Sequence, residues 1–367
     1  MLDLFKESKG DHLLPVREEE LSDQAVIAEL HQLKKELGDR VCVLGHHYQS
    51  NEIIQFADIR GDSLALAKHA AEAEAEYIVF CGVHFMAETA DMLTGPEQSV
   101  ILPDLNAGCS MADMAQSEGI LKCWQQTAEA SSDTVVPITY INCSAELKAF
   151  VGDHGGAICT SSNARKVIEW AFEQGQKLLF FPDQHLGRNT CFEMGVGLDE
   201  MVVYDPNQYQ GGLTTEELKK AKVILWYGYC SVHQGFTAEQ IDNVKQEKPN
   251  TTVIVHPECS FEVVQAADLA GSTSYILEQI EAAASGSSFA VGTEINLVNR
   301  LAEQFPDKDI FSLSPYQCLC TTMYRVRPRW LLASFRSMVQ NKPINVIKVP
   351  DSTTESSLKA LERMLAI

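Results

Sequence analysis

The stretch VCVLGHHYQ, at residues 41–49, shows the pattern that decides the fold: β-branched and apolar residues followed by an abrupt polar end. The pattern returns in nine further runs, which are YIVFCGVHF (77–85), SVILPDLNAGCS (99–110), VVPITYINCS (135–144), AICTSSNA (157–164), KLLFFPDQHLGRN (177–189), VILWYGYCSVH (223–233), TTVIVHPECS (251–260), STSYIL (272–277) and SFAVGTEINL (288–297). Helix-like segments separate these runs. Strands that alternate with helices predict βα units and parallel sheets covered on both faces, so the fold class is α/β.

The runs fall into three sets along the chain, which predicts three similar three-layer α/β/α domains with short parallel sheets. The predicted division is an N-terminal arm and helix at 1–38, a first domain at 39–120 plus 335–367, a second at 121–222, and a third, with a C-terminal cysteine loop, at 223–334.

Both ends of the chain carry recognisable local patterns. Residues 1–20 are polar and show no periodic pattern of apolar residues, which predicts a mobile arm. A helix follows, with Ser22 as its N-cap and Gly38 at its end. A closing amphipathic helix is predicted at 352–367, with Leu358, Leu361 and Leu365 on one face.

Composition narrows the classes of function. The 367 residues include 29 Lys and Arg against 50 Asp and Glu, so the formal net charge is −21. Such a chain is repelled by nucleic acid and by anionic lipid, which need basic surface. No run approaches the ~18 apolar residues of a membrane span, and the N-terminus lacks the pattern of a signal peptide. We therefore expect a cytoplasmic protein with neither nucleic acid nor membrane as a partner.

Polar residues gather where the predicted strands end, and in parallel sheets this is where ligands bind. They are His46, His47, Tyr48, Cys109, Ser110, Tyr140, Asn142, Ser161, Ser162, His185, Cys230, His256, Glu258, Cys259, Thr273 and Glu294. The usual glycine-rich phosphate motifs and the zinc-protease motif are missing from the sequence. In the run GDSL (61–64), Ser63 is more typical of a helix cap or a ligand contact than of a nucleophile.

The eleven cysteines form no disulfide framework, because their number is odd and their spacings are irregular. Most of them fit the behaviour of small buried hydrophobic residues. Cys109 differs, since it opens a predicted helix with Ser110 and Asp113 in capping-box spacing, and the positive end of a helix favours the thiolate that binds metal. Cys230 also follows a strand, and Cys318 and Cys320 share a late loop. Spacing alone leaves open whether these cysteines hold an iron–sulfur or zinc site or no metal at all.

A set of short motifs resembles the quinolinate synthases, from about residue 41 to the C-terminus. The motifs are GHHYQ (45–49), GDSL (61–64), FMAETA (85–90), PD-LNAGCSMAD (103–113), YIN-SAE (140–146), TSSNA (160–164), PDQHLGRN (182–189), HPEC (256–259), GST (271–273) and GTE-NLV (292–298). The resemblance implies three α/β domains around a pseudo-three-fold axis, with the active site where they meet. It also implies a 4Fe–4S cluster on Cys109, Cys230 and Cys320, with one iron left open as a Lewis acid. Cys318 is the other candidate for the third ligand.

The implied reaction condenses iminosuccinate with dihydroxyacetone phosphate to give quinolinate, phosphate and water, which makes the enzyme a transferase. Proton transfers dominate it, and we assign them to Tyr48 and Glu258, expecting burial to raise the pKa of Glu258 toward neutrality. Substrate-binding roles are assigned to His46, Ser63, Tyr140, Asn142, Ser161, His256 and Thr273. Iminosuccinate is unstable in water, so a functional handoff from L-aspartate oxidase is expected.

Simpler structural roles compete with several of these assignments. Glu258 could be a surface carboxylate, and Tyr48 could pack its ring while its hydroxyl bonds to backbone. The hydroxyls of Ser63, Ser161 and Thr273 fit helix capping equally well.

Two other functions also compete with quinolinate synthesis. One is an iron–sulfur redox or iron-sensing protein without catalysis, which should use four protein ligands. The other is a zinc-dependent hydrolase or aldolase that uses His46, His256 and a carboxylate.

Overall fold

The computed structural model describes residues 21–316 and 318–367, so the predicted arm at 1–20 lies outside the described residues. The predicted first helix is confirmed as α1, Asp23–Leu37. The Ser22 hydroxyl caps it by accepting the amide of Ala25 at 3.3 Å, and the chain leaves it through Gly38 at a φ of +53°. Glycine adopts this left-handed backbone at little cost, which explains why the helix ends there.

The first sheet has five strands in the order β14-β4-β3-β1-β2. They are β1 (Val41–His46), β2 (Ile59–Gly61), β3 (Tyr77–Cys81), β4 (Ser99–Ile101) and β14 (Val346–Ile347). The pairs among β1 to β4 are parallel, whereas β14 is antiparallel to β4. The helices that follow these strands are α2 (Asn51–Ile54), α3 (Ser63–Glu72), α4 (His84–Leu93) and α5 (Ser110–Asp113).

The second sheet has five parallel strands in the order β6-β5-β7-β9-β8. They are β5 (Val135–Tyr140), β6 (Ala157–Cys159), β7 (Lys177–Phe181), β8 (Met201–Tyr204) and β9 (Val223–Trp226). The accompanying helices are α6 (Ser117–Ala130), α7 (Ala145–Asp153), α8 (Ala164–Gln174), α9 (Gln184–Glu193) and α10 (Thr215–Lys220). Grouping the run 223–233 with the third set was wrong for its strand, since β9 pairs with β7 and β8.

The third sheet has four parallel strands in the order β11-β10-β12-β13. They are β10 (Thr252–Val255), β11 (Leu269–Ala270), β12 (Ser288–Gly292) and β13 (Asp309–Ser312). The later helices are α11 (Ala238–Glu247), α12 (Phe261–Ala266), α13 (Thr273–Ala282), α14 (Ile295–Gln304), α15 (Pro328–Val339) and α16 (Asp351–Ala366).

The strand predicted at STSYIL (272–277) is wrong, because this segment begins helix α13. The Ser272 hydroxyl accepts the amide of Tyr275 at 3.3 Å and caps the helix. Ile276 and Ile280, four residues apart, are both buried on the same helical face. A short apolar run does not by itself distinguish a strand from a buried helix segment.

The α/β fold class is confirmed, as three short sheets built almost entirely from parallel strands. The closing helix is confirmed as α16, which packs against α7 and β6 of the second sheet with Leu361 buried and Leu358 and Leu365 half-buried. Apart from the strand β9, the division into domains stays a prediction. Within the described residues, no helix combines the length and the apolar character that crossing a membrane requires.

Candidate functional site

Residues at the ends of strands from all three sheets line one cavity. Every residue to which the sequence analysis gave a role lines it: His46, Tyr48, Ser63, Cys109, Tyr140, Asn142, Ser161, Cys230, His256, Glu258, Thr273 and Cys320. The structure therefore brings together the residues that the strand-end rule selected, while the site itself and the individual roles stay predictions.

We call Cys109, Cys230 and Cys320 the cysteine end of the cavity. Backbone amides of the following turn act to lower the pKa of each thiol: those of Met111 and Ala112 for Cys109, that of His233 for Cys230, and those of Thr322 and Met323 for Cys320. Burial nevertheless dominates, raising the pKa of Cys109 to about 12 and raising the pKa of the Cys230 and Cys320 thiols as well. The helix dipole expected to favour the Cys109 thiolate does not prevail, because α5 has only four residues. The expected Ser110–Asp113 capping box is wrong, since Cys109 occupies the N-cap without a side-chain bond.

The structure distinguishes the two late cysteines. Cys320 lines the cavity, and its sulfur lies 3.4 Å from the Thr322 hydroxyl. Cys318 instead packs beside the buried cluster that contains Phe236 and Leu313. Of the two, Cys320 is placed with Cys109 and Cys230.

Tyr48 belongs to a hydrogen-bonded network that the sequence analysis missed in part. Its hydroxyl lies 2.8 Å from the Thr293 hydroxyl and 3.4 Å from Nε2 of His233, while Nδ1 of His233 lies 2.7 Å from Oε2 of Glu258. Burial, with the nearby Glu258, raises the pKa of Tyr48 well above its usual value, so the phenol keeps its proton. Thr293 directly follows strand β12, and this position is the signal that could have identified it, whereas His233 lies in a separate turn well after β9.

Glu258 is 4 % exposed, which excludes the surface-carboxylate alternative. The expected rise of its pKa is wrong in direction. Burial would raise the pKa of Glu258, but the imidazoles of His256 and His233 and the hydroxyl of Tyr140 outweigh burial and hold it below its usual range. The nearby Asp183 behaves in the opposite way.

Asp183 is fully buried, and its Oδ1 accepts the amides of His185 and Leu186 at 2.7 and 2.9 Å. Burial, together with the charge of Glu258, raises the pKa of Asp183 well above its ordinary value. This buried pair of carboxyls therefore holds one proton on Asp183 and the negative charge on Glu258.

We call Ser63, Ser161 and Thr273 the hydroxyl end of the cavity. The capping alternative is wrong for Ser63 and Thr273, because Asp62 caps α3 and Ser272 caps α13. It is wrong for Ser161 as well, since the N-cap of α8 is Asn163.

The carboxylate of Asp62 ties this end together. Its Oδ2 accepts the hydroxyls of Ser162 and Ser274, each at 2.7 Å, and its Oδ1 accepts the amide of Ala65 at 2.9 Å. One buried carboxylate thus joins two other segments to its own, and Asp62, Ser162 and Ser274 are each next in sequence to a hydroxyl of the cavity.

The two predicted substrate-binding histidines are buried and neutral. Burial is the main cause that lowers the pKa of His46 and that of His256, each to about 3. Nδ1 of His46 accepts the amide of Tyr48 at 3.1 Å, and His256 stacks on His233 with ring centroids 4.5 Å apart. In the described ranges, the three ligand atoms that lie within 4.8 Å of one another belong to Cys230, His233 and Glu258. This group does not contain the His46 and His256 of the zinc alternative.

Comparison with known proteins shows the family of the chain. The sequence model of the family described as "Quinolinate synthetase A protein" matches residues 28–366. The chain is 54 % identical to the quinolinate synthase of Corynebacterium glutamicum over 357 residues, covering 97 % of this chain and 91 % of that protein. It is 53 % identical to the quinolinate synthase of Anoxybacillus flavithermus over 358 residues, with 96 % of each chain covered. The chain therefore belongs to the quinolinate synthetase A family.

Proposed function

We propose that this chain is an enzyme that condenses iminosuccinate with dihydroxyacetone phosphate to form quinolinate, one phosphate and two molecules of water. The observation that carries the proposal is the single cavity that joins three thiols, a buried proton-transfer network and three uncommitted hydroxyls. The family membership and the names of the relatives support it.

A 4Fe–4S cluster held by Cys109, Cys230 and Cys320 fits the cysteine end. Sulfur is the ligand that iron–sulfur clusters use, and amides that act to lower the pKa of each thiol are the kind of second interaction that tunes such sites. When bound through three thiolates, such a cluster supplies one iron as a Lewis acid for the removal of water.

The hydroxyl end suits the anionic groups of the substrates. The chain carries a net charge of −21, so attraction must be local. Ser63 and Thr273 are the first residues of ten-residue helices, where free amides and the helix dipole favour an anion. Ser161 adds a hydroxyl from the turn before α8. We assign the phosphate and one carboxylate to this end of the cavity.

Tyr48 and Glu258 suit the proton transfers. The phenol of Tyr48 holds a proton and Glu258 is ionised, so the two present a donor and an acceptor; both pKa values have to move toward neutrality in the substrate complex for a proton to pass. His233 lies between them, with one nitrogen toward each group, and so provides a path for the proton.

The other lining residues suit recognition of the substrate. His46 and His256 are neutral, so they bind through hydrogen bonds rather than charge. Oδ1 of Asn142 is buried without a partner in the described part of the chain, and it suits an N–H or O–H of the substrate. Tyr140 also lines the cavity and bonds to Glu258.

Several finer assignments belong to this proposal. We assign the enzyme to the transferases, acting in the cytoplasm and receiving iminosuccinate from L-aspartate oxidase. The alternative of a redox or iron-sensing protein is disfavoured, because such a protein has no use for a buried Tyr48–His233–Glu258 network.

The decisive experiment is anaerobic purification with iron and sulfide analysis, followed by a quinolinate assay on the two substrates. We expect about four irons and four sulfides per chain and quinolinate formation that depends on both substrates. A loaded protein that forms no quinolinate would favour the sensor. A colourless protein that contains stoichiometric zinc would favour the zinc enzyme.

A further inference from the structure

Helix α14 holds the segment that carries Tyr48. Arg300 donates to the carbonyl oxygens of His47 and Gln49, the latter at 3.0 Å, and Nδ2 of Asn296 donates to the carbonyl oxygen of Tyr48 at 3.2 Å. Three consecutive carbonyls of one loop are therefore bound by one helix that follows the third sheet, while the loop itself follows the first sheet.

Glu294 extends this contact to the cysteine end. It is fully buried, and its Oε2 accepts the amide of Asn296 at 2.7 Å, which caps α14. Its Oε1 accepts Nδ2 of Asn296 at 3.0 Å and the amide of Cys320 at 3.3 Å. One carboxylate oxygen thus connects the backbone of Cys320, through the Asn296 amide, to the backbone of Tyr48.

We infer that Glu294 and Asn296 are positioning residues that set the location of Tyr48 relative to the cysteine end. A helix cap requires only Oε2 of Glu294. Its Oε1 and the side-chain amide of Asn296 instead form hydrogen bonds that reach the loop of Cys320 and the loop of Tyr48. The inference rests on the proposed function for the roles of Tyr48 and Cys320. The geometry itself is independent of that function.

Precise placement has a large effect on rate. A displacement of about 1 Å at a reacting group costs on the order of 100-fold. The hydroxyl of Tyr48 is fixed by Thr293, and its backbone by Asn296, so both ends of the residue are held by the same turn. Loss of the Asn296 side-chain amide removes the hydrogen bond to the Tyr48 carbonyl oxygen and leaves the one between the Tyr48 and Thr293 hydroxyls in place.

The first experiment compares Asn296→Ala with Asn299→Ala, because Asn299 is an exposed asparagine on the same helix. In the iron-loaded enzyme we expect Asn296→Ala to lower kcat about 10- to 100-fold with KM changed less than threefold and iron content unchanged. Asn296→Asp keeps the size of the side chain but presents an acceptor to the Tyr48 carbonyl, so it should be at least as impaired. Wild-type kcat in Asn296→Asp would overturn the inference.

A double-mutant cycle separates positioning from general damage. If Asn296 acts through Tyr48, adding Asn296→Ala to Tyr48→Phe lowers the residual kcat by less than about twofold. An undiminished 10-fold loss in that background would overturn the inference.

Hydrogen exchange provides a readout that does not depend on activity. In the holoenzyme, amides of residues 47–50 should exchange at least 10-fold faster in Asn296→Ala than in Asn299→Ala or the wild type. This arm still reports if the wild type forms no quinolinate, so failure of the proposed function is distinguishable from failure of the inference. Unchanged exchange at these amides would overturn the inference.

The last arm addresses Glu294. Glu294→Gln loses one of the two acceptor oxygens, and we expect the cluster to be removed by an iron chelator about 5-fold faster, as followed by its visible absorbance. Glu278→Gln, an exposed change on α13, is the matched control. Chelation rates equal in the two variants would overturn the link from Glu294 to Cys320.

Discussion

The cysteine end and the hydroxyl end of the cavity are built on different physical principles. At the hydroxyl end, Asp62 receives two serine hydroxyls, and Ser63 and Thr273 begin helices that favour an anion. At the cysteine end, burial raises the pKa of all three thiols. Hydrogen bonds within the protein hold the hydroxyl end together, whereas the proposed cluster would have to displace the protons of the three thiols.

This difference predicts how each end responds to substitution. A cluster held through three thiolates loses a third of its protein ligands when one cysteine is substituted. We therefore expect cluster retention to be lost completely rather than in part. An anion held by several neutral donors loses one hydrogen bond at a time, worth about 1 kcal/mol each.

The largest expected effect is at the cysteine end. Cys109→Ala, Cys230→Ala and Cys320→Ala should each abolish both cluster retention and quinolinate formation, because no other thiol lines the cavity in the described part of the chain. Iron and sulfide analysis of anaerobically purified protein measures retention. Cys318→Ala is the matched control and should keep its cluster, since Cys318 lies outside the cavity lining. Full iron content in Cys320→Ala together with loss of iron in Cys318→Ala would show that Cys318, and not Cys320, is the third ligand.

The second-largest expected effect concerns the two proposed proton-transfer residues. Tyr48→Phe and Glu258→Gln should keep the cluster and lower kcat about 100- to 10,000-fold, because each removes one proton-transfer group. Steady-state assays together with the visible spectrum of the cluster measure both quantities. Tyr275→Phe, at a half-buried tyrosine of α13, serves as a control for loss of a phenolic hydroxyl. Turnover at the wild-type rate in either variant removes that residue from the proton-transfer steps.

The position of the site was predictable from the sequence because strand ends are marked by local patterns. The run 41–49 predicts both β1 and the polar residues after it, and the same holds for Glu258 after β10. Cys320 follows no such rule, because it lies in an irregular loop, and its identification depended on the resemblance. Local patterns therefore marked Cys109 and Cys230 as candidates, whereas the choice of Cys320 came from the resemblance.

Pairings between distant residues were not predictable from local patterns. Contact between His233 and Glu258 depends on how the second and third sheets pack, and no spacing in the chain encodes it. The predicted rise in the pKa of Glu258 was wrong for the same reason. Burial of the carboxyl was foreseeable from the sequence, but the neighbouring imidazoles that outweigh burial were not. Strand β9 was misgrouped because strand order is a tertiary property.

A third prediction tests the neutral state of His46, which lies near the ionised Asp62. Burial, together with His47, lowers the pKa of the adjacent His46 to about 3, against about 6.5 in an unfolded chain. Between pH 6.5 and 3 the unfolded chain therefore binds more protons at this residue, and stability falls as the pH falls. At pH 5 His46 should cost about 2 kcal/mol of unfolding free energy. His46→Asn should reduce the loss measured by urea unfolding between pH 7.5 and 5 by about that amount.

His69→Asn, an exposed change on α3, is the control for this measurement and should leave the pH dependence as it is in the wild type. An equal loss of stability in His46→Asn and wild type would show that His46 is protonated in the folded protein at pH 5. In that case the cavity presents a charged His46 to its substrates rather than a neutral one.

The smallest effect is expected at the hydroxyl end itself. Ser161→Ala and Thr273→Ala should each raise KM for dihydroxyacetone phosphate about 5- to 10-fold, because each removes one hydrogen bond to an anion while Asp62 keeps the surrounding segments in place. Iron content and kcat should stay within about twofold of the wild type. Thr273→Ser keeps the hydroxyl and should restore KM. A loss of kcat without a change in KM would instead place these hydroxyls among the proton-transfer groups, and the contrast between the two ends would then no longer hold.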